Sequence, residues 1–221
     1  MQLETSQSEK MDRMYRMQRH IYDLSRKYYL FGRDQLLQRM ALKPGQHVLE
    51  SGCGTARNLR KLARLYPDTH LYGLDASAPM LETAQYKIQR AGLERVITLK
   101  HELAECMTPK KTFGLNRPFD AVFFSYTLSM IPPWREALDA AFASLRPGGR
   151  MFIVDFWDQS ELPRPFRAAL QRWLALFDVH HRPELPDYLQ DMAQRERAAL
   201  TIESWGRRYA ILAYLEKAAQ E

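Results

Sequence analysis

The segment VLESGCGTA, residues 48–56, combines residue types that are suited to holding a nucleoside. An apolar run ends at Glu50, glycines follow at Gly52 and Gly54, and Asp75 stands twenty-one residues after Gly54. Because glycine has no Cβ atom, the backbone of such a turn can lie close to a ligand. A carboxylate that ends the next strand can accept hydrogen bonds from both ribose hydroxyls. The spacing therefore predicts a nucleoside-binding turn between a first and a second strand.

Three features narrow the choice of ligand. A nicotinamide-dinucleotide fingerprint places a glycine or alanine three residues after the second glycine, where this chain has Arg57. No GK[ST] follows the turn, which argues against a P-loop. The acidic Glu50 favours a cationic or zwitterionic ligand over a pyrophosphate. An ordinary βα turn that binds nothing is the alternative interpretation.

The pattern E-x-G-x-G, followed by an acidic residue at the end of the second strand, resembles motifs I and II of the class I S-adenosylmethionine-dependent methyltransferases. The resemblance implies S-adenosylmethionine as the cofactor, S-adenosylhomocysteine as its product, and no metal. It also implies that Gly52 and Gly54 pass beneath the methionine part of the cofactor and that Asp75 holds the ribose. The expected cofactor-binding residues are Glu50, Gly52, Cys53, Gly54, Asp75, Ala76, Met80, Leu103, Ala104 and Ser125.

Two parts of this set stay open at the level of the sequence. Met80 is a candidate for packing on adenine, and equally a core residue at a helix start. The family contacts adenine just after the third strand and often has Asp there, whereas this chain offers Glu102 and Glu105 around Leu103 and Ala104.

The composition indicates one globular domain without a disulfide framework. The chain has 221 residues, 46% of them hydrophobic, and only two cysteines. No apolar run approaches the length of a membrane span, and the polar start lacks the apolar region of a signal peptide. We therefore expect a cytoplasmic protein. The net charge of +6 fits association with an anionic surface, either nucleic acid or lipid headgroups.

The order of predicted elements indicates an α/β, doubly wound, Rossmann-like sheet of seven strands. Five parallel strands alternate with helices, at residues 47–50, 71–74, 96–100, 119–126 and 151–155. Helices are expected at residues 57–65, 79–90, 134–145 and 163–177. Two final strand-like runs, 200–205 and 209–215, form a hairpin across Gly206. An antiparallel last strand is typical of the methyltransferase sheet and not of a dehydrogenase.

Residues 1–40 are predicted to form a helical extension, or lid, on a methyltransferase domain of residues 41–221. Residues 11–40 have helical periodicity, with Gly32 as an interruption and Asp34 as a cap of the next helix. Between Lys10 and Arg39 there are eight Lys or Arg against three Asp. An amine acceptor must lose a proton before it attacks, so a nearby base or hydroxyl would help. The candidate catalytic residues are Tyr15, His20, Tyr22 and Tyr126, with Asp155 as a further aid.

The segments RMQRHIYDLSRKYYLFGRDQLL, LESGCGTARNL, FDAVFFSYTLSMIP and DFWDQSELPRPFR resemble the bacterial betaine-lipid N-methyltransferases. This resemblance covers roughly residues 13 to 215, and departs from the family at Ser51, where a hydrophobic residue is common. It implies trimethylation of diacylglyceryl-homoserine to diacylglyceryl-trimethylhomoserine at an anionic membrane surface. It further implies peripheral contact with the inner face of the membrane, and the enzyme that supplies diacylglyceryl-homoserine as a partner.

Other acceptors remain as alternatives. They are phosphatidylethanolamine, a quinone-ring carbon, or none, if the chain is a non-catalytic S-adenosylmethionine-binding subunit. Transfer of the aminocarboxypropyl arm of the same cofactor is a further chemistry. A nucleic-acid acceptor is not expected, because the segment Ile131-Pro132-Pro133-Trp134 lacks the polar first residue with which DNA amino-methyltransferases grip an amine. Two prolines at a helix start explain that segment.

Overall fold

The computed structural model describes residues 30–175 and 179–219. They form one mixed sheet with helices on both faces. The strands are β1 His47–Ser51, β2 His70–Asp75, β3 Ile97–His101, β4 Phe119–Ser125, β5 Leu145–Phe156, β6 Ala199–Trp205 and β7 Ala210–Glu216. The helices are α1 Arg33–Arg39, α2 Arg57–Leu65, α3 Ala78–Gln89, α4 Pro109–Phe113, α5 Trp134–Ala143, α6 Arg164–Ala175 and α7 Leu185–Glu196, with a 3₁₀ turn at Ala104–Cys106.

The seven strands lie in the order β3-β2-β1-β4-β5-β7-β6. The first five are parallel, and β7 pairs antiparallel with both β5 and β6. The predicted seven-stranded fold with its C-terminal hairpin is thus confirmed. The chain reverses direction across the sheet at β1 and β4, and ligands of such sheets bind beyond the carboxyl ends of the strands at that point.

Alternate residues of the central strands supply two separate apolar clusters, because successive side chains of a strand point to opposite faces. Phe123 packs with α1, α2 and α3 on one face, and Phe124 packs with α5 and α7 on the other. Both phenylalanines are fully buried. Burial on both faces explains why FDAVFFS is apolar at nearly every position.

Strand β5 and helix α7 differ from the sequence-based expectations. The predicted fifth strand covers residues 151–155, whereas the observed β5 begins at Leu145 and includes Arg146 to Gly149. The pairing with β4 is irregular there, because Leu145 pairs with Phe119 and Arg150 pairs with Ala121. Helix α7 is absent from the predicted helices, since residues 180–188, HHRPELPDY, contain two prolines. Pro186 in fact lies in the first turn of α7, where its missing N–H costs no hydrogen bond.

Asp34 does not cap α1, contrary to the prediction. Gly32, in a left-handed conformation with φ of 80°, is the N-cap and provides no side chain. The Asp34 carboxylate instead bonds Nζ of Lys61 at 2.7 Å and the guanidinium of Arg57 at 3.1 Å, so it ties α1 to α2. Helix α1 buries Leu36 and Leu37 in the core. The predicted boundary at residue 40 stays a prediction, and residues 1–29 lie outside the described part.

Among the described residues, no helix is both long enough and apolar enough to cross a bilayer.

Candidate functional site

The glycine-rich turn between β1 and α2 forms the floor of a pocket of about 270 Å³. Gly52, Gly54 and Ala56 all have positive φ, of 76°, 51° and 57°. This path turns the chain from the strand into the helix within a few residues. The pocket opens at the carboxyl ends of β1 and β4. Its lining includes Leu30, Arg33, Glu50, Gly52, Cys53, Gly54, Thr55, Arg57, Asn58, Arg60, Lys87, Ser125 and Thr127.

Close contact with the β4 loop explains the glycine at position 52. A Cβ atom built on Gly52 would lie 2.4 Å from Cγ2 of Thr127. The Thr127 hydroxyl also donates to the carbonyl of Ser51 at 3.2 Å. The turn after β1 is therefore packed directly on the loop after β4, and any side chain at Gly52 would separate the two.

The side chain of Asp75, at the end of β2, holds the glycine-rich turn by accepting hydrogen bonds from backbone N–H groups. Its Oδ2 accepts a hydrogen bond from the N–H of Gly54 at 2.7 Å, and its Oδ1 accepts one from the N–H of Ser77 at 2.9 Å. Ser77 in turn caps α3, with its hydroxyl accepting from Met80 N–H at 3.4 Å. One carboxylate thus joins the motif I turn to the start of the next helix.

Glu50 carries the most perturbed carboxyl group of the site. It is 1% exposed, and burial raises its pKa to about 8, against a hydrogen bond from Asn58 that lowers it. Nδ2 of Asn58 donates to Oε1 at 2.6 Å, whereas Oε2 has no hydrogen-bond partner. A buried acceptor without a partner is costly unless a ligand satisfies it. Glu50 therefore offers a cationic group of a ligand a site that is already desolvated.

Ser125, the last residue of β4, faces the same pocket, and its Oγ is also buried without a partner. Cys53 lines the pocket as well, and burial, followed by the charges of Asp75 and Glu50, raises the pKa of its thiol. Cys53 therefore stays protonated at neutral pH and is not a nucleophile here.

Of the ten expected cofactor residues, five line the pocket: Glu50, Gly52, Cys53, Gly54 and Ser125. Asp75 reaches it through the Gly54 amide. Ala76 follows Asp75, and its carbonyl lies 2.9 Å from Nε2 of His101. Met80 is buried in α3, Ala104 is buried in the 3₁₀ turn, and Leu103 is 41% exposed. The cofactor-binding roles of all ten residues remain predictions.

The candidate catalytic residues are placed unequally. Tyr15, His20 and Tyr22 lie outside the described residues. Tyr126 directly follows β4 with φ of 58°, and its buried hydroxyl donates to the carbonyl of Phe31 at 2.6 Å. Burial raises the pKa of Tyr126 well above its usual value. Asp155 is buried, and its carboxylate accepts hydrogen bonds from the N–H groups of Phe156 and Ser129 at 2.8 and 3.2 Å, so it holds the loop after β4.

Sequence reasoning missed Asn58, Thr127 and Arg33 as pocket residues. A faint signal existed for Asn58, a polar residue on the otherwise apolar inner face of α2, where Leu59 and Leu62 are buried. No local pattern pointed to Thr127 or Arg33, because both reach the pocket through tertiary packing.

The cofactor implied by this architecture fits the residues present. The ammonium and sulfonium groups of S-adenosylmethionine are cations, which the unpartnered Oε2 of Glu50 can accept, and the Gly52–Gly54 turn leaves the pocket open beside it. No group of three or more His, Cys, Asp or Glu able to hold a metal ion occurs within residues 30–175 and 179–219.

Comparison with known proteins defines the class. Residues 48–149 match a family model described as a methyltransferase domain. The structure resembles a SAM-dependent methyltransferase from Aquifex aeolicus, with a TM-score of 0.63 and 19% identity over 96% of this chain and 98% of that one. The fold is therefore that of the class I S-adenosylmethionine-dependent methyltransferases.

Two curated relatives are similar in sequence. A demethylmenaquinone methyltransferase of Listeria monocytogenes is 24% identical over 199 residues, which are 90% of this chain and 78% of that protein. Phosphoethanolamine N-methyltransferase 1 of Triticum aestivum is 32% identical over 147 residues, 66% of this chain but 28% of that protein. The matched methyltransferase domain, the fold and these similar enzymes together support an S-adenosylmethionine-dependent methyltransferase.

Proposed function

We propose that this methyltransferase transfers methyl groups to the amino nitrogen of a lipid headgroup, with diacylglyceryl-homoserine as the acceptor and diacylglyceryl-trimethylhomoserine as the final product. The observation that carries the proposal is the resemblance of four separate sequence segments to betaine-lipid N-methyltransferases. The similarity to a phosphoethanolamine N-methyltransferase supports nitrogen as the methylated atom.

Aromatic side chains beside the cofactor pocket support a substrate that becomes a quaternary ammonium. The rings of Tyr126 and Phe156 lie 4.7 Å apart, Phe156 and Tyr209 5.8 Å, and Tyr209 and Phe31 5.3 Å. This cluster begins one residue after Ser125, which lines the pocket. Aromatic faces attract a quaternary ammonium through the ring quadrupole.

Three features in and around the pocket have a role in the proposed reaction. When bound, S-adenosylmethionine supplies an electrophilic methyl group. Glu50 balances the positive charge of the cofactor. The carboxylate of Asp75 holds the glycine-rich turn and accepts hydrogen bonds from the ribose. The aromatic cluster excludes water. Catalysis then depends mainly on alignment of the acceptor nitrogen and on desolvation.

Basic side chains next to the pocket support contact with an anionic membrane surface. Arg57, Arg60, Lys61 and Arg64 share one face of α2 and, with the partly exposed Leu65, line a second, shallow pocket. Each basic residue near an anionic lipid surface adds attraction that salt weakens. We expect the protein to float with phosphatidylglycerol vesicles but not with phosphatidylcholine vesicles, and to be released by salt.

The decisive experiment supplies methyl-labelled S-adenosylmethionine with diacylglyceryl-homoserine in mixed micelles and identifies products by mass. We expect species with one, two and three added methyl groups. Parallel reactions contain phosphatidylethanolamine, or demethylmenaquinone reduced to its hydroquinone, because only the electron-rich reduced ring can attack a methyl cation donor. Label in either of these, with none in diacylglyceryl-homoserine, would refute the proposed acceptor.

A quinone-ring acceptor is the second candidate, because the demethylmenaquinone methyltransferase is similar over 90% of this chain. A ring carbon takes one methyl group and loses its only hydrogen, whereas a primary amine can take three methyl groups, so the number of methyl groups added separates the two acceptors. A non-catalytic role would be indicated if calorimetry detects S-adenosylmethionine binding and none of the three acceptors is labelled.

The proposed lid, residues 1–40, is tested by deleting its first 29 residues. We expect loss of lipid methylation with cofactor binding retained, because Glu50 and the glycine turn lie outside the deleted part. Full turnover of the truncated protein on vesicles would refute a lid function.

A further inference from the structure

Gln159 is buried without any use in the site described so far. Its side chain is 0% exposed, yet neither Oε1 nor Nε2 has a hydrogen-bond partner. Its backbone also has a left-handed φ of 58°. The conformation is held by its N–H, which donates to the carbonyl of Arg208 at 2.9 Å, and by its carbonyl, which accepts from Leu162 N–H at 3.1 Å. Strain and unpaired amide groups together are typical of positions where a ligand completes the site.

His181 presents a second unpaired polar atom, Nε2, which is also buried. The segment around it is fixed on the loop after β4. His180 N–H donates to the carbonyl of Ser129 at 2.9 Å, and the Arg182 guanidinium donates to the carbonyls of Leu128 and Ile131 at 3.3 and 3.0 Å. The backbone on both sides of His181 is therefore held against this loop, and Nε2 of its imidazole is shielded from solvent.

Phe156 joins the two positions. Its ring centroid lies 6.2 Å from that of His181, and Gln159 follows it by three residues. The other side of Phe156 contacts Tyr126, which is next to the pocket residue Ser125. Gln159 lies in the loop after β5, and His181 lies in the segment before α7, which is hydrogen-bonded to the loop after β4 through His180 and Ser129. Both segments are at the carboxyl edge of the sheet, where parallel sheets bind their substrates.

We infer that Gln159 and His181 form the polar end of the acceptor site and hold the amino nitrogen that is methylated. The inference rests on the proposed function, since it requires an acceptor with a proton-bearing nitrogen. Oε1 of Gln159 accepts a hydrogen bond from this nitrogen, and Nε2 of His181 accepts its proton. The freed lone pair forms the N–C bond as the S–C bond of the donor breaks, with that electron pair left on sulfur. The imidazolium then releases its proton to water.

The surroundings keep His181 in the neutral form that this role requires. Burial lowers the pKa of His181 and the neighbouring His180 lowers it further, while the charge of Asp158 opposes them. Asp158 is itself paired with the guanidinium of Arg208. The segments packed around His181 carry several titratable or charged groups. They are Tyr126 after β4, Asp155 and Asp158 at the end of β5, His180 and Arg182 beside the imidazole, and Arg208 and Tyr209 before β7.

The test compares His181→Gln and Gln159→Leu with two matched controls far from the site. His70→Gln changes an exposed histidine at the amino end of β2, and Gln89→Leu changes an exposed glutamine at the end of α3. With diacylglyceryl-homoserine, we expect about a tenfold rise in acceptor KM for Gln159→Leu. His181→Gln should lower kcat/KM about 100-fold and move the acid limb of its pH profile. The affinity for S-adenosylhomocysteine should stay unchanged in both.

A merely structural role gives a different pattern. If Tm, S-adenosylhomocysteine affinity and kcat fell together, or if acceptor KM and the pH profile matched those of the controls, the inference would be overturned.

A second measurement separates this inference from the proposed acceptor. The imidazole resonances of the full chain, saturated with S-adenosylhomocysteine, are followed by NMR while free homoserine or ethanolamine is added. We expect the His181 resonance to shift in the wild type and to stay constant in Gln159→Leu. If no amine moves that resonance, the inference fails even where lipid methylation is found. If diacylglyceryl-homoserine is not methylated but an amine still shifts His181, only the proposed acceptor fails.

Discussion

Nδ2 of Asn58 donates a 2.6 Å hydrogen bond to Oε1 of Glu50, and this bond holds the buried carboxyl group with its second oxygen turned to no protein partner. The hydrogen bond joins the first turn of α2 to Glu50, which precedes the glycine-rich turn. Oε2 is therefore available to a cation without further desolvation, because the carboxyl group already loses its water when the protein folds.

Glu50→Gln should weaken S-adenosylmethionine binding by about 10- to 100-fold, the effect of losing one charged hydrogen bond. Isothermal titration calorimetry measures the change. Glu82→Gln, an exposed acid on α3, is the matched control and should bind normally. Equal affinities for wild type and Glu50→Gln would show that Glu50 does not contact the cofactor.

Cofactor binding should release a proton near neutral pH. With a pKa of about 8, Glu50 is mostly protonated at pH 7 before binding, and an adjacent cation favours its ionised form. Calorimetry in buffers of different ionisation enthalpy counts the protons. We expect a fraction of one proton released in the wild type and none from this group in Glu50→Gln. Identical proton counts would contradict the assignment.

The stability of the cofactor-free protein should fall as pH rises through neutrality. The pKa of Glu50 in the folded state, about 8, lies above its ordinary 4.5, so the folded protein keeps a proton that the unfolded chain has released. The free energy of unfolding therefore decreases between these values. Asp155 acts in the same direction, but only up to its pKa of about 6.

Urea denaturation near pH 6.5 and near pH 7.5 isolates the contribution of Glu50. We expect a loss of about 1 kcal/mol over that interval in the wild type. Glu50→Gln should remove this loss, and parallel slopes for the two proteins would exclude Glu50 as its source.

Gly52→Ala should destabilise the fold more than Gly45→Ala. Both glycines have φ of 76°, but a Cβ at Gly45 meets nothing within 4 Å, whereas one at Gly52 lies 2.4 Å from Thr127. Gly45→Ala thus measures the backbone strain, about 1 kcal/mol. We expect a further 1–3 kcal/mol or so at Gly52 in denaturant titrations, from overpacking. Partial recovery in Gly52→Ala with Thr127→Ala would identify the contact, and equal losses at both glycines would argue against it.

Asp75→Ala should raise the Kd for S-adenosylmethionine about tenfold or more. The substitution leaves the N–H groups of Gly54 and Ser77 without their acceptor, so the turn loosens, and it removes the carboxylate proposed to hold the ribose. Asp75→Asn keeps one acceptor oxygen and should lie between. If Asp75→Asn and Asp75→Ala bind adenosine-containing ligands as the wild type does, Asp75 has no part in the site.

The fold could be predicted because its signals are local. Apolar strands, Ser77 before α3 and glycines after Glu50 each specify an element within a few residues. The C-terminal hairpin could be predicted for the same reason, because its two strands and its turn are adjacent in sequence. Helix α7 could not be predicted, because a proline in the first turn of a helix and a proline in a loop cannot be distinguished when the start of the helix is unknown.

The site was predicted only in part, since its remainder depends on tertiary packing. Glu50 and Ser125 stand at strand ends, which a pattern can locate. Arg33 and Thr127 reach the pocket from separate segments, and Gln159 becomes conspicuous only once its burial and missing partners are known. The periodicity of a sequence does not show whether a buried side-chain amide has hydrogen-bond partners.

The position of β7 between β5 and β6 has a consequence for how the chain acquires its structure. During synthesis, β5 emerges with its outer edge bare, and its partner arrives some sixty residues later, after α6, α7 and β6. Until then the apolar run Met151–Phe156 is a template for pairing with another chain. Nascent chains halted before residue 210 should therefore aggregate or recruit chaperones, whereas those extending past Glu216 should not.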